Sequence, residues 1–276
     1  MKKNNFIVNY NQEGLRLFIV IAKEFSVSNK QAKFWIDSKL VLVNKKRVWI
    51  KKHILKEGDL IEVLTIDKPL NIIEKIPILW EDEYYIIINK PSGLITNASK
   101  NSVENILKDQ EDNDEIVAVH RLDKETSGCL IFAKKIDYKN KAIPMFKDKK
   151  IIKIYRAITI GKFPNKWKEI RTDISGFIAK TLIKILDNNK NSSYLEIKIE
   201  TGRKHQIRKH LAQKRYPILG DKKYAGTGNS FSLEQSRHML HAYSLIFNHP
   251  FTDKKISIKA SIPLDFNRCL KQLKLS

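Results

Sequence analysis

The chain has 276 residues, 42% of them apolar, which is enough to bury one large domain or two unequal ones, and no apolar run reaches the length that spans a bilayer. Lys and Arg outnumber Asp and Glu 52 to 30, a formal net charge of +22 that favours a polyanionic partner, because neutralising phosphates releases their counterions. Two distant cysteines, Cys129 and Cys269, supply neither a disulfide framework nor a zinc pattern, and the opening MKKNNFIVNYNQEG lacks the apolar stretch of a signal peptide; the expectation is a cytoplasmic monomer with no membrane span.

In chain order, residues 14–67 read as a small module within a front domain of residues 1–68. GLRLFIVIAKEF has helical periodicity, and Ser28 with Gln31 forms an S-x-x-Q capping box that opens a second helix through Ile36. KLVLVN, a turn at Asn44-Lys45-Lys46, RVWIKK and GDLIEVL follow as short strands with alternating apolar positions. Residues 1–68 hold 14 Lys or Arg against 7 Asp or Glu, so the basic excess is shared by both parts of the chain and is not confined to a tail. Through Arg16-Leu17, Ser28, Gln31-Ala32, the VLVN turn and GDLIEV, this stretch resembles the RNA-binding domain named after ribosomal protein S-four. The resemblance implies that the two helices face RNA, with Arg16, Lys30, Lys33, Lys45 and Lys46 as basic contacts. Asn29 stands where that family often has an arginine after the helix-opening serine.

Residues 69–78, bracketed by Pro69 and Pro77, read as a linker to a larger domain over 79–276. A strand over residues 84–88 ends at Asn89-Lys90 ahead of Pro91 and Gly93, and SVENIL starts a short helix capped by Ser102. Residues 117–119 and 129–133 read as strands around a polar loop closed by Ser127-Gly128, with Cys129 as core filler. DYKNKAIPMFKDK reads as helix apart from Pro144, IIKIYRAITIG as a strand, and GFIAKTLIKIL and SSYLEIKIE as strands flanking the DNNKN turn. Strands outnumber helices and hairpin-length turns recur, so the expected class is α+β with a mixed, largely antiparallel sheet.

Two stretches concentrate chemistry. AVHRLDKETSGCLIFAK, residues 118–134, puts Asp123 two residues after Arg121 in a loop between buried strands, which suits either a salt-bridged turn or a reactive carboxylate on a rigid support. TGRKHQIRKHLAQKRYPILGDKKYAG, residues 201–226, crowds Arg203, Lys204, Arg208, Lys209, Lys214 and Arg215 about a strand-to-helix junction at Gly202, either an anion site or a solvated basic face. His205 and His210 are five apart and lie on different helix faces, and His238 and His241 have no cysteine or acidic cluster to complete a site, so no metal is expected. HRLD carries a leucine that the kinase H-R-D loop lacks, and the Gly-rich loop and D-F-G are missing, which argues against a kinase.

Taken together, KPSGLITNAS, HRLDKETSG, IYRAITIG, TGRKHQIRKHLA, PILGDKKYAG and RHMLHAYSLIFNHP, in this order within residues 79–265, resemble the RluA-type pseudouridine synthases, which act mainly on ribosomal RNA. The resemblance implies the pseudouridine synthase fold and a reaction without cofactor. Asp123 aligns with the essential aspartate and Arg121 with the arginine that enters RNA to displace the target base. Tyr155 aligns with the aromatic that stacks on the uracil, Arg208 with the basic partner of the carboxylate, and Ile207 with an apolar wall of the pocket. His120 and Arg203 are expected to contact the substrate, and Gly220-Asp221 to form a structural turn.

A lone carboxylate suits this chemistry. Hydrolysing a glycosidic bond generally takes two, one to protonate the leaving group and one to activate water or attack. Isomerising uridine breaks the bond from sugar to ring nitrogen, turns the uracil over and joins its C5 to the sugar, with no water to activate. The carboxylate serves as nucleophile or as base on the sugar, and the base must first leave the stack. The implied partner is RNA, with large-subunit ribosomal RNA or a pre-ribosomal particle foremost. Transfer RNA, or a non-catalytic RNA-binding or assembly role on the same fold, are the alternatives.

Overall fold

The computed structural model describes residues 2–276 apart from 26, 28, 51–52, 66–74, 98, 100, 149, 167 and 227–234. Contacts divide the chain into two units, Met1–Ile73 and Glu74–Ser276. Most of the expected linker lies outside the described residues, and the first strand of the second unit opens at Ile78. No helix among the described residues is long and apolar enough to cross a membrane.

The front unit comprises β1 (Lys2–Ile7), α1 (Leu17–Glu24), α2 (Asn29–Asp37), β2 (Val41–Val43), β3 (Lys46–Arg47) and β4 (Leu60–Thr65). Its antiparallel sheet runs β1-β4-β2-β3, and Leu17, Ile21, Ala32, Ile36, Val41, Ile61 and Val63 bury a single core between helices and sheet. β1 was not expected, because KKNNFI has almost no apolar alternation; six successive pairings with β4, from Lys2↔Thr65 to Ile7↔Leu60, make it a strand. RVWIKK was expected to be a strand throughout, but only Lys46–Arg47 pairs. Asn44 and Lys45 both take positive φ, 50° and 65°, so the turn closes in two residues and Lys46 belongs to the ladder opposite Val43. The Ser28–Gln31 box and the Lys30 side chain lie outside the described residues. Arg16, Lys45 and Lys46 are exposed, whereas Lys33 is half-buried with its ammonium 4.3 Å from the Phe18 ring centre.

The second unit comprises β5 (Ile78–Glu81), β6 (Tyr85–Lys90), α3 (Val103–Glu111), β7 (Val117–Ala118), β8 (Ser127–Ala133), α4 (Ile136–Lys147), β9 (Ile152–Ile160), β10 (Glu169–Asp173), β11 (Ile178–Asn188), β12 (Ser192–Ile199), α5 (Gln206–Gln213), β13 (Leu240–Asn248), β14 (Lys255–Lys259) and α6 (Leu264–Gln272). Its sheet runs β10-β11-β12-β9-β13-β8-β6-β5, with β14 beside β13 and β7 beside β8. Every pairing is antiparallel except β8 with β13, so the mixed, largely antiparallel α+β class holds. β8 is buried at all seven positions, which is why SGCLIFA reads as one continuous run. Cys129 lies in that run, and burial pushes its thiol up to about 12.

Three local expectations change. Ser127 and Gly128 open β8 instead of closing the loop before it. Pro144 lies inside α4, three residues from its end, where it has no N–H to give to the carbonyl four residues earlier. β10, β13, β14 and α6 had no counterpart in the reading of the sequence. β13 hides itself because its buried face mixes His241 and Ser244 with apolar residues; Ser127 Oγ lies 2.9 Å from His241 Nδ1, and Ser244 Oγ donates to Ile258 O at 2.8 Å.

The β8–β13 contact is close enough to exclude a side chain. A Cβ on Gly128 would overlap the Ala242 carbonyl oxygen and come within 2.8 Å of the Ala242 nitrogen, and φ there is +110°. Gly128→Ala is expected to lower unfolding free energy by about 2–4 kcal/mol through overpacking and backbone strain, read as a shift in urea midpoint at unchanged slope.

Candidate active site

The loop from Val119 to Thr126 connects β7 to β8, which pair with each other, and its backbone is clamped on several sides. The Thr96 hydroxyl accepts from Leu122 N–H and donates to Leu122 O, both at 3.2 Å. Lys124 O accepts from Gly93 N–H at 2.9 Å and from Lys90 Nζ at 3.1 Å. Arg237 Nη1 donates to Glu125 O at 3.2 Å while its Nε and Nη2 grip Asp265 of α6. His238 lies 2.8 Å from Thr126 Oγ1 through Nε2 and 3.2 Å from Glu125 through Nδ1. Lys90 is wholly buried; burial, then the charge of Arg237, lowers its pKa to about 7 against the opposing pull of Asp123.

Asp123 is the one carboxylate that this loop turns into a small, open pocket. The same pocket is lined by Arg121, Tyr155, Arg203, His205, Ile207 and Arg208, so the loop, β9 and the start of α5 meet there. Tyr155 comes from β9, opposite Ala242 and Ile197; burial, reinforced by the Asp123 charge, raises its pKa, so the phenol keeps its proton. Ile207 is buried as an apolar wall, Arg121 is exposed, and the Arg203 guanidinium lies 4.3 Å from the exposed Phe177 ring. His120 does not line the pocket. Its Nε2 accepts from Ile131 N–H at 3.3 Å, its ring packs on Phe146 at 5.0 Å, and burial, aided by Lys153, lowers its pKa to about 3, so it is a neutral brace of β8.

Arg208 is the centre of the site's electrostatics. Its Nη1 donates to Asp123 Oδ2 at 2.9 Å, while Nε and Nη2 donate to Asp221 Oδ2 and Oδ1 at 2.7 and 2.9 Å. Burial opposes the guanidinium's charge, but the bonds from Asp221 and then Asp123 outweigh it and raise the pKa. Asp221, expected as part of a structural turn, is the buried carboxylate that aims Arg208. Burial would raise its pKa, yet the Arg208 contacts and the amides of Lys223 and Tyr224 hold it below the usual range. No local pattern in GDKK marks this role, because the partner is thirteen residues away in α5. Asp123 keeps 26% of its side chain exposed and Asp221 none, so only Asp123 is available to a substrate. His205, for which the sequence suggests no role once a metal site is set aside, faces Asp123, and His210 turns away to Thr181 Oγ1 at 2.9 Å.

Among the described residues, the loop thus presents a single carboxylate to the pocket, held by a braced arginine beside a buried tyrosine. The chain belongs to the RNA pseudouridylate synthase family, whose pattern matches residues 84–213, with an S4 domain matching residues 15–61. It is similar to the ribosomal large subunit pseudouridine synthase D of Buchnera aphidicola, 32% identical over 95% of each chain. The tRNA pseudouridine synthase C of Vibrio parahaemolyticus is 31% identical over 68% of this chain and 91% of its own. The human RNA pseudouridylate synthase domain containing 4 shares the fold, with a TM-score of 0.60 and 24% identity over 72% of this chain and 94% of that one. The protein is therefore an RNA pseudouridine synthase.

Asp221→Ala is expected to cost about 3–5 kcal/mol of stability, since it strands a buried guanidinium. Because the folded-state pKa of Asp221 is lowered, its contribution is complete above the ordinary carboxylate pKa, about 4, and is lost as pH falls through the folded value. Urea unfolding between pH 3 and 7 should show the deficit of the variant shrinking towards the acid end.

Proposed function

We propose that Asp123 is the catalytic carboxylate for isomerising uridine to pseudouridine in large-subunit ribosomal RNA. The observation that carries the assignment is the 2.9 Å contact between Arg208 and Asp123, with Arg208 itself aimed by the buried Asp221. Tyr155 serves as the platform for the everted uracil and Ile207 as its wall. Arg121, exposed at the pocket, is free to enter the space that the base leaves, and Arg203 takes an adjoining phosphate. Asp123 acts on the sugar; the bond from C1′ to N1 breaks, the ring turns within the pocket, C5 bonds to C1′, and the C5 proton is lost while N1 gains one.

Ribosomal RNA is favoured over transfer RNA by coverage: a relative named for the large ribosomal subunit matches across 95% of both chains, front unit included, whereas the tRNA relative matches 68% of this one. In the front unit, Arg16, Lys30, Lys33, Lys45 and Lys46 are proposed as backbone contacts that hold structured RNA. Cytoplasmic action as a monomer accords with this reading.

Tritium release from C5-labelled uridine in ribosomal and transfer RNA transcripts tests both parts. Asp123→Asn should reduce single-turnover release more than about a thousandfold with RNA affinity nearly unchanged. Arg208→Met should slow the same step far more than it weakens binding, and Arg208→Lys should restore only part of the rate, because lysine lacks the planar fork. A normal rate with weakened, less salt-sensitive binding would assign Arg208 to phosphate instead.

Removing residues 1–73 takes away 14 basic and 7 acidic side chains. Affinity for full-length RNA should fall and its salt dependence become shallower, measured by equilibrium binding at several salt concentrations. Unchanged affinity and slope would show that the front unit is not the RNA anchor.

A further inference from the structure

Five residues form a ring beside the pocket, four of its links hydrogen bonds and the fifth a longer contact. Asp123 bonds Arg208, Arg208 bonds Asp221, Asp221 Oδ1 accepts from Tyr224 N–H at 3.1 Å, Tyr224 Oη lies 2.9 Å from His205 Nδ1, and His205 Nε2 lies 3.6 Å from Asp123 Oδ1. Arg208 also lies over the Tyr224 ring, 5.1 Å from its centre. The two oxygens of Asp123 are thus addressed from two directions, Oδ2 by a permanent cation and Oδ1 by an imidazole. His205 holds its place at some cost: it is the N-cap of α5 with φ +57° and ψ 29°, a left-handed conformation that few residues adopt readily.

The tautomer follows from the contacts. The Tyr224 phenol keeps its proton, since burial raises its pKa; Arg208 opposes the rise, and Asp221 and Asp123 add to it. If that O–H donates to Nδ1, the imidazole proton sits on Nε2 and points at Asp123 Oδ1. The other tautomer would set a ring lone pair against a carboxylate oxygen. Four charged groups act on the ring: Asp123 favours the imidazolium, while Arg208, Lys223 and Lys204 disfavour it together with burial.

We infer that His205 is a positioning residue for Asp123, a neutral N–H donor set by Tyr224 that orients Oδ1 without pairing off its charge. Held neutral, the imidazole limits rotation of the carboxylate about Arg208 yet leaves its negative charge for the sugar. Protonated, it would form a second ion pair with Asp123 and draw electron density from the reacting oxygen. Conversion should therefore rise with pH through the titration of His205 and then level off.

The inference rests on Asp123 being the catalytic carboxylate, and the experiment separates the two. His205→Asn tolerates the left-handed backbone but is too short to reach Oδ1; His205→Gln extends the same amide by one carbon; Tyr224→Phe removes only the hydroxyl. Single-turnover tritium release from a C5-labelled large-subunit ribosomal RNA transcript, with saturating full-length enzyme, should fall about tenfold for His205→Asn. RNA affinity should stay within about twofold, His205→Gln should recover part of the rate, and its profile should lose the acid limb. Nitrogen NMR of the histidine side chains should place the proton on Nε2 in the wild type and mix the tautomers in Tyr224→Phe. A wild-type rate for His205→Asn, an acid limb that persists in His205→Gln, or a proton on Nδ1 overturns the inference. Retained conversion by Asp123→Asn would instead overturn the catalytic assignment, and the NMR result still decides the tautomer.

Discussion

A guanidinium shared between two unlike carboxylates organises this enzyme's candidate site. Arg208 spends two of its donors on Asp221, which has no exposed surface, and one on Asp123, which does. The first pairing removes the freedom of the side chain, so the second acts as a fixed, directed positive charge and not as a mobile one. A lysine in the same place could supply the charge but could not be aimed by a partner behind it. The site is therefore built outward from a buried ion pair, and the exposed carboxylate, Asp123, is the last member of the chain.

The loop below Asp123 is braced to match. Its carbonyls accept from Lys90, Gly93 and Thr96, all within residues 90–96, and from the distant Arg237. A polar loop within a buried sheet would otherwise carry unsatisfied backbone groups. Two of these donors, Lys90 and Arg237, are long buried side chains, and together the four hold the backbone under Asp123 still.

Much of this was legible in the sequence because it is local. The buried run of β8, the Ser102 cap on α3 and the strand pair β11–β12 all follow from patterns within ten or twenty residues. Asp123, Arg121, Tyr155, Ile207, Arg203 and Arg208 were picked out by ordered motifs, and all of them line one pocket. What stayed hidden depends on partners far apart in the chain. Asp221 looked like a turn residue because nothing nearby shows that Arg208 is its partner, and Lys90 looked like the polar end of a strand although it is wholly buried. His120 adjoins Arg121 in the sequence yet does not line the pocket with it: successive residues of an extended segment point to opposite sides, and His120 braces the Ile131 amide. β1 and β13 escaped because their strand character comes from their neighbours more than from their own alternation.

The single parallel contact, His241 and Ala242 of β13 against Ser127 and Gly128 of β8, joins segments more than a hundred residues apart. The braces from Arg237 and His238 arrive with the same late segment. During synthesis, which proceeds from the N-terminus, the front unit and the stretch bearing Asp123 leave the ribosome well before the strand that locks them. A nascent chain can thus bring together the means to hold RNA long before it has a rigid centre with which to act on it. A fragment ending before Arg237 and β13 would carry every motif from HRLD to GRKHQIR and still lack the strand and the arginine that brace the loop bearing Asp123.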